Sequence, residues 1–324
     1  MELLKFDIIF IDEYNGIEKL YNIKCKKCNH TFKRVLNKSI ITQIKCPNCT
    51  NGSSIENKIK QMLIDNNINF IINDRTIISP YELDFYLPDH NLAIECHGLY
   101  WHSEQLIKHK NGGNNYHLMK YKRCLNKNVQ LLQFYEDEII NKFDIVTSII
   151  LSKCNMLKRI CTARQCVIKP ITNTINDTFL DLNHIQGKNV GTKINLGAYL
   201  KNNLIAIMSF KKSQKLTDVI ELDRFCTILN GYATGIASKL LKYFITNYNY
   251  IKIVSYADKR ISNGKLYNTI NFKYSYDVDP TYYYVINGQR KHKSGFMKSK
   301  LKNRLENFDK KLTEYENMLN HGFD

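Results

Sequence analysis

The chain has 324 residues, of which 47 are Lys or Arg and 30 are Asp or Glu, giving a net charge of +17. Its length exceeds one average domain, and 44% hydrophobic residues are enough for real cores, so two or three domains are expected. The basic excess argues for a polyanionic partner, nucleic acid first. No apolar run is long enough to span a bilayer, and the opening MELLKFDIIFIDEY lacks a basic leader with a cleavage site. A cytosolic protein is expected, or a nuclear one in a eukaryotic host. In that setting its ten cysteines read as thiols or metal ligands, not as a disulfide framework.

The first segment, residues 1–52, carries Cys25-x-x-Cys28 and Cys46-x-x-Cys49 with seventeen residues between the pairs. Two such knuckles supply four thiolates for tetrahedral Zn²⁺, and Phe32 and Pro47 suit a zinc ribbon. So small a segment builds little core, so the metal would supply folding energy. Lys24, Lys26, Lys27, Lys33, Arg34, Lys38 and Lys45 surround the site and read either as backbone contacts to DNA or as a solvated surface.

Asn51-Gly52-Ser53-Ser54 is a linker, after which residues 53–155 open on a helix with Ile55, Ile59, Met62 and Leu63 on one face. Ser53-x-x-Glu56 is a capping box, which accounts for Glu56 without chemistry. Tyr81–Leu87 and Leu92–His97 read as strands around the turn Pro88-Asp89-His90-Asn91. That turn sets Leu87 opposite Leu92 and, counting back, Asp84 opposite Glu95, with Glu82 and His97 on the same face. Like charges opposed on a sheet repel. A Mg²⁺ ion resolves the conflict, because it takes one or two carboxylates and keeps several waters. Two solvated acids on an outer face are the plain alternative. Gly98 then permits a sharp turn that brings Trp101-His102 back toward the same end.

Past a polar loop at 108–115, a helix is expected over Tyr116–Lys127, where His117 and Lys120 share a face. Val129–Tyr135 reads as a buried strand, and Glu136-Asp137-Glu138 as caps for a helix over Glu138–Leu151.

Asp84, ten residues, then Glu95-Cys96-His97 resembles the PD-(D/E)xK nuclease core with His in place of Lys. His97 to His102, HGLYWH, is similar to the active-site segment of very-short-patch (Vsr) mismatch repair endonucleases. The longer string ELDFYLPDHNLAIECHGLYWHSE, followed by YHLMK and YEDE, resembles phage- and virus-encoded homing endonucleases built on that fold. Abundant Asn, Lys and Ile fit an AT-rich phage or viral genome. Relatives often have Phe-Asn at Cys96-His97 and Trp at Ile139, which touches the identity of the general base and a packing position. The resemblance implies that Glu56 leans into the nuclease site, that Lys120 holds the scissile phosphate, and that Trp101 packs or wedges into the duplex.

From residue 156 the character changes. Strands are expected over 194–201, 204–211, 219–229, 251–256, 272–276 and 282–286, with helices around 178–182 and over 236–247 and 263–269. This order, with Gly235-Ile236-Ala237 at a strand-to-helix turn and Leu266-Tyr267…Phe272 beyond it, resembles the GNAT acyltransferase fold over 156–287. There, N–H groups at the helix start would hold a pyrophosphate and the tyrosine would protonate a thiolate. Tyr232 replaces the Gln or Arg that opens the family's loop, and Asn271 replaces its Gly, so the match is to shape more than to chemistry. Asn183–Gly187 and Tyr256–Arg260 also recur in the endonuclease relatives; a loop-bracing His184 and an Asp258–Arg260 ion pair are the favoured readings. Residues 288–324 begin RKHKSGFMKSKLKNR, either a phosphate-binding stripe docked through Phe296, Leu301 and Leu305 or a solvated tail.

The expected whole is an α/β multidomain protein: zinc ribbon, restriction-endonuclease-like α/β core, GNAT-like domain with a mixed sheet, and basic tail. Its expected activity is Mg²⁺-dependent cleavage of double-stranded DNA. Asp84, Glu95 and the Cys96 carbonyl would hold the ion, His97 would take a proton from water, His102 would serve the phosphate or leaving oxygen, and Lys120 would neutralise charge. Trp101, His117, Arg290, Lys291, Lys293, Lys298 and Lys300 would contact DNA. An acyltransferase acting on nucleic acid or protein and a non-cleaving DNA-binding protein are the rival readings; mismatch repair is a rival within the nuclease class.

Overall fold

The structure is a computed structural model that describes residues 8–13, 16, 19–26, 29, 31–35, 44, 53–99, 116–213, 218–286 and 288–322. It is a mixed α/β chain with several sheets. Two compact units are present, Met1–Ile68 and Asn69–Asp324.

In the first unit, β1 (Ile8–Phe10), β2 (Leu20–Cys25) and β3 (Thr31–Val35) form an antiparallel sheet in that order. Alternation along β2 sends Tyr21, Ile23 and Cys25 to one side, where they meet Ile8, Phe32 and Ile44. The helix α1 (Ser54–Asp65) begins where expected. The Ser53 hydroxyl accepts from the Glu56 amide and donates to the Glu56 carboxylate, while Ile55, Ile59, Met62 and Leu63 make a buried stripe.

The second unit starts with a four-stranded sheet in sequential order: β4 (Ile71–Asp74), β5 (Leu83–Leu87), β6 (Leu92–His97) and β7 (Gln130–Tyr135). β5 and β6 are an antiparallel hairpin with Leu87 opposite Leu92, as the sequence predicts. Pro88–His90 form a 3₁₀ turn, closed by Asn91 in the left-handed region (φ 46°). β7 runs parallel to β6, which requires a crossover; α2 (Tyr116–Asn126) lies on that connection and packs on β7. After β7 come α3 (Glu136–Asn141) and α4 (Phe143–Lys153), not one continuous helix. The break is Lys142, at φ −134° and ψ 37°, whose ammonium donates to the Ile185 carbonyl.

β8 (Lys158–Thr162) pairs in parallel with β13 (Gly231–Thr234), apart from the main second-half sheet. That sheet has five strands ordered β14-β12-β11-β10-β9: β9 (Cys166–Pro170), β10 (Thr192–Leu200), β11 (Asn203–Lys212), β12 (Val219–Thr227) and β14 (Lys252–Ser255). All neighbours are antiparallel except β12 and β14. The helix α5 (Asn173–Asn183) is longer than expected, because Thr172 caps it through the Ile175 amide. The helix α6 (Ile236–Asn247) buries Ile236, Ala237, Leu240, Leu241 and Phe244 against the sheet, with Phe244 stacked on Phe210 at 3.7 Å.

The expected strand over 272–276 is absent. After α7 (Lys265–Thr269), the Phe272 amide folds back onto the Tyr267 carbonyl, and Tyr274 and Tyr276 stay 73% and 68% exposed. Their alternation with Lys and Ser imitates a strand, but the rings remain in water. Nor does the last expected strand join the large sheet. β15 (Tyr283–Ile286) pairs with β16 (Gln289–His292) in a separate hairpin. With α8 (Lys298–Leu301) and α9 (Glu314–Asn320) it encloses a small core of Tyr284, Leu301 and Met318, joined by Ile286, Phe296, Leu305 and Phe308. The basic segment is therefore folded, docked through the three apolar residues the sequence singled out.

Candidate nuclease site

The ladder between β5 and β6 runs from Leu87/Leu92 to Phe85/Ile94 and stops one pair before the acids. There the side chains take over. Asp84 Oδ2 accepts from the Cys96 amide at 2.7 Å, and Glu95 Oε1 accepts from the Asp84 amide at 3.4 Å. Each carboxylate thus reaches across to a backbone amide of the other strand, so both acids lie at one crossing of the hairpin.

A lysine from α2 completes the group. Lys120 Nζ lies 2.7 Å from Glu95 Oε2, with both side chains almost fully buried. Burial pushes Glu95 upward, and Lys120 pulls it back. Burial also works against the ammonium, but Glu95 outweighs it and holds Lys120 above its ordinary value. The Lys120 ammonium is also 5.1 Å from the Tyr116 ring centroid. The helix face expected for His117 and Lys120 is present, but it faces the sheet and not solvent.

His97 shares the Glu95 side of β6. Its Nε2 lies 3.1 Å from Gln133 Oε1, its ring centroid 4.2 Å from that of His117 and 5.4 Å from that of Tyr135. In the parallel register Gln133 stands opposite Glu95, and Tyr135 opposite His97. Gln133 and Tyr135 were missed in the sequence; the available signal was a glutamine between Leu132 and Phe134 in a buried strand, two positions from Tyr135. Glu82, which shares the face, is engaged by Arg75 at 2.8 Å.

The acids after β7 have three separate tasks. Glu136 Oε2 accepts from the Leu99 amide at 2.9 Å, just beyond β6. Asp137 Oδ1 receives Arg290 Nε at 2.8 Å. Glu138 caps α3 through the Tyr135 amide and pairs with Arg260 at 3.1 Å and Arg290 at 2.7 Å. Burial opposes charge on Glu138, but the two guanidiniums hold it below its ordinary value. Arg260 also makes the expected pair with Asp258, at 2.9 Å. Arg290, expected on DNA, is only 11% exposed and stacks on Tyr135 at 3.9 Å.

Glu56 caps α1 in the first unit. Cys25 is buried at the end of β2, whereas Cys28, Cys46, Cys49, Trp101 and His102 fall outside the described residues. Lys291, Lys298 and Lys300 are exposed and Lys293 half-buried on the C-terminal module, with Lys293 4.8 Å from the Tyr282 ring and Lys300 donating to the Ser294 carbonyl. His184 braces its loop by accepting from the Gln186 amide; burial, then Arg224 and Lys142, push it down to about 3, so it is neutral near pH 7. No described helix is long and apolar enough to cross a membrane. Among the described residues, no group of three or more His, Cys, Asp or Glu is arranged to hold a metal.

The model of the Mom protein family matches residues 165–323. No curated protein matches the chain. Among solved structures, the homing endonuclease I-Bth0305I catalytic domain is similar at 27% identity, over 32% of this chain and 94% of that one, with a TM-score of 0.26. A ribosomal-protein-alanine N-acetyltransferase from Brucella melitensis biovar Abortus 2308 is similar at 17% identity, over 36% and 96%, with a TM-score of 0.29. An aminoglycoside acetyltransferase, meta-AAC0020, from an uncultured soil metagenomic sample is 13% identical over 37% and 96%, with a TM-score of 0.29.

Two outcomes follow from the buried charges. Lys120→Met strands Glu95 without a counter-charge and costs about 3–5 kcal/mol by urea denaturation. Adding Glu95→Gln restores part of that, so the pair is non-additive; strict additivity would deny the coupling. Because the folded state depresses Glu138, its stabilisation is present above the unfolded carboxyl value and is lost as pH falls below about 4.5. Glu138→Gln therefore flattens the dependence of the urea midpoint on pH in that window.

Proposed function

We propose that the chain is a site-specific DNA endonuclease that hydrolyses phosphodiester bonds with Mg²⁺. The observation that carries this reading is the meeting of Asp84 and Glu95 at one strand crossing, with Lys120 as the buried cation beside them. A carboxylate that already attracts an ammonium into the interior, next to a second carboxylate, suits a hard cation with oxygen ligands. Asp84, Glu95 and the Cys96 carbonyl would hold Mg²⁺, which when bound polarises the phosphate and lowers the pKa of its water.

The chain's own groups then have defined tasks. If Gln133 accepts from His97 Nε2, the lone pair of the neutral imidazole is on Nδ1, and His97 is the proposed proton acceptor. Lys120 neutralises charge developing at the phosphate. His102 is assigned to the leaving oxygen, and Trp101 to support of the site, on the endonuclease resemblance. Lys291, Lys293, Lys298 and Lys300 fix register through phosphates, leaving sequence to be read by a few base contacts. The same resemblance makes homing the biological setting.

Zn²⁺ held by Cys25, Cys28, Cys46 and Cys49 is the proposed structural metal of the first unit. The acyltransferase reading has less behind it, since the Tyr267 hydroxyl is within 3.2 Å of Ser255 Oγ, itself bonded to the Leu222 carbonyl.

The central test incubates purified protein with its own flanking genomic DNA, with Mg²⁺ or with EDTA. Asp84→Ala is expected to keep its circular dichroism spectrum and DNA affinity but lose Mg²⁺-dependent nicking; cleavage by that variant refutes the assignment. Metal analysis should find one zinc per chain, lost in Cys28→Ser, and a zinc-free native preparation removes the ribbon from the proposal.

A further inference from the structure

We propose that Arg290 is a positioning residue for nuclease chemistry: it anchors the C-terminal basic module against the strand pair that carries the site. The inference rests on the nuclease reading above and adds to it the means by which DNA-facing lysines are held in register with the site.

The anchor is a planar cation between two rings. The Arg290 guanidinium lies 3.9 Å from the Tyr135 ring centroid and 5.4 Å from that of Tyr283. Its Nε meets Asp137 at 2.8 Å, its Nη2 meets Glu138 at 2.7 Å, and its amide donates to Asp137 at 3.3 Å. A lysine has neither the fork nor the plane for this arrangement. A contact to DNA phosphate would require Arg290 to leave two carboxylates.

What it anchors on both sides matters. Toward the site, Tyr135 stands opposite His97, and the next residue, Glu136, holds the Leu99 amide where the chain leaves β6. Away from the site, Arg290 lies in β16 and is followed by Lys291, His292 and Lys293, with Lys298 and Lys300 on the same module. One side chain therefore links β7 and α3, which adjoin the strand bearing Glu95 and His97, to the segment bearing the lysines. Replacing a buried ion pair with apolar residues is often neutral or stabilising, so stability alone is a poor reason for this arrangement. Fixed orientation is the better one.

The test uses full-length Arg290→Ala and Arg290→Lys. At saturating DNA, Arg290→Ala should bind with a Kd within about threefold of the parent while its single-turnover cleavage rate falls by on the order of tenfold to a hundredfold, the scale of a misplaced reacting group. Arg290→Lys should recover only part of the rate. Hydrogen exchange should accelerate about tenfold at the Leu99 and Tyr135 amides, with β5 unchanged, an arm that reads the anchor whether or not DNA is cut. A weaker Kd with a salt slope reduced by about one and a normal rate at saturation would make Arg290 a phosphate contact, overturning the proposal. Parental exchange at Leu99 and Tyr135 would also overturn it. Should Arg290→Ala not fold, Asp137→Asn reads the same contact from the other side, with the same outcomes expected. If the parent cuts no DNA under any condition, the nuclease reading fails, and exchange still decides whether Arg290 positions these amides.

Discussion

The buried pair of Glu95 and Lys120 constrains everything around it. An ionised carboxylate costs several kcal/mol to take out of water, and an ammonium costs a similar amount. Together they are tolerable only if held close, which requires α2 to cross the sheet at one place and present Lys120 to β6. The parallel pairing of β6 with β7 provides that crossing, because a parallel neighbour cannot be reached by a tight turn. Topology and charge are the same requirement here. A hairpin in place of the crossover would leave Glu95 buried with no cation.

Asp84 adds a second consequence. It and Glu95 take backbone amides in place of the ladder's carbonyls, so the β5–β6 pairing ends where the acids begin. Opening the strands there costs ladder hydrogen bonds but gives each carboxylate a backbone amide of the opposite strand to fix its direction. The outer edge of β7 is managed differently. The Gln133 amide donates to the Arg260 carbonyl, and the Gln130 side chain reaches the Ile261 carbonyl, so a segment from the second half covers an edge that would otherwise be open to pairing. The same segment brings Arg260 to Glu138. Edge covering and ion pairing reinforce each other at β7.

Much of this was readable in the residues. The β5–β6 register followed from a four-residue turn and a period of two, and the cap of α1 from Ser53-x-x-Glu56, because both depend on neighbours in sequence. Asp258 with Arg260 was legible for the same reason. What escaped depends on partners more than thirty residues away. Gln133 gives no local hint of His97, and nothing around Arg290 announces Tyr135, Asp137 and Glu138. A basic run reads as a surface until its acids are located. The strand expected over 272–276 failed for another reason: tyrosine counts as apolar in an alternating pattern, yet Tyr274 spends its hydroxyl on Asp277 and leaves its ring in water.

The net charge of +17 makes the interior arginines informative. A protein with so many cations has no shortage of them for phosphates, and surface ones cost little. Arg260 and Arg290 instead sit among Asp137, Glu138 and Asp258, where each contact required desolvation. Their rings of contact include Tyr135 on β7, so the guanidiniums are oriented by flat faces as well as by charge. Screening by salt weakens exposed pairs far more than these. Salt that screens the exposed lysines of the C-terminal module would therefore leave its attachment to β7 through Arg290 intact.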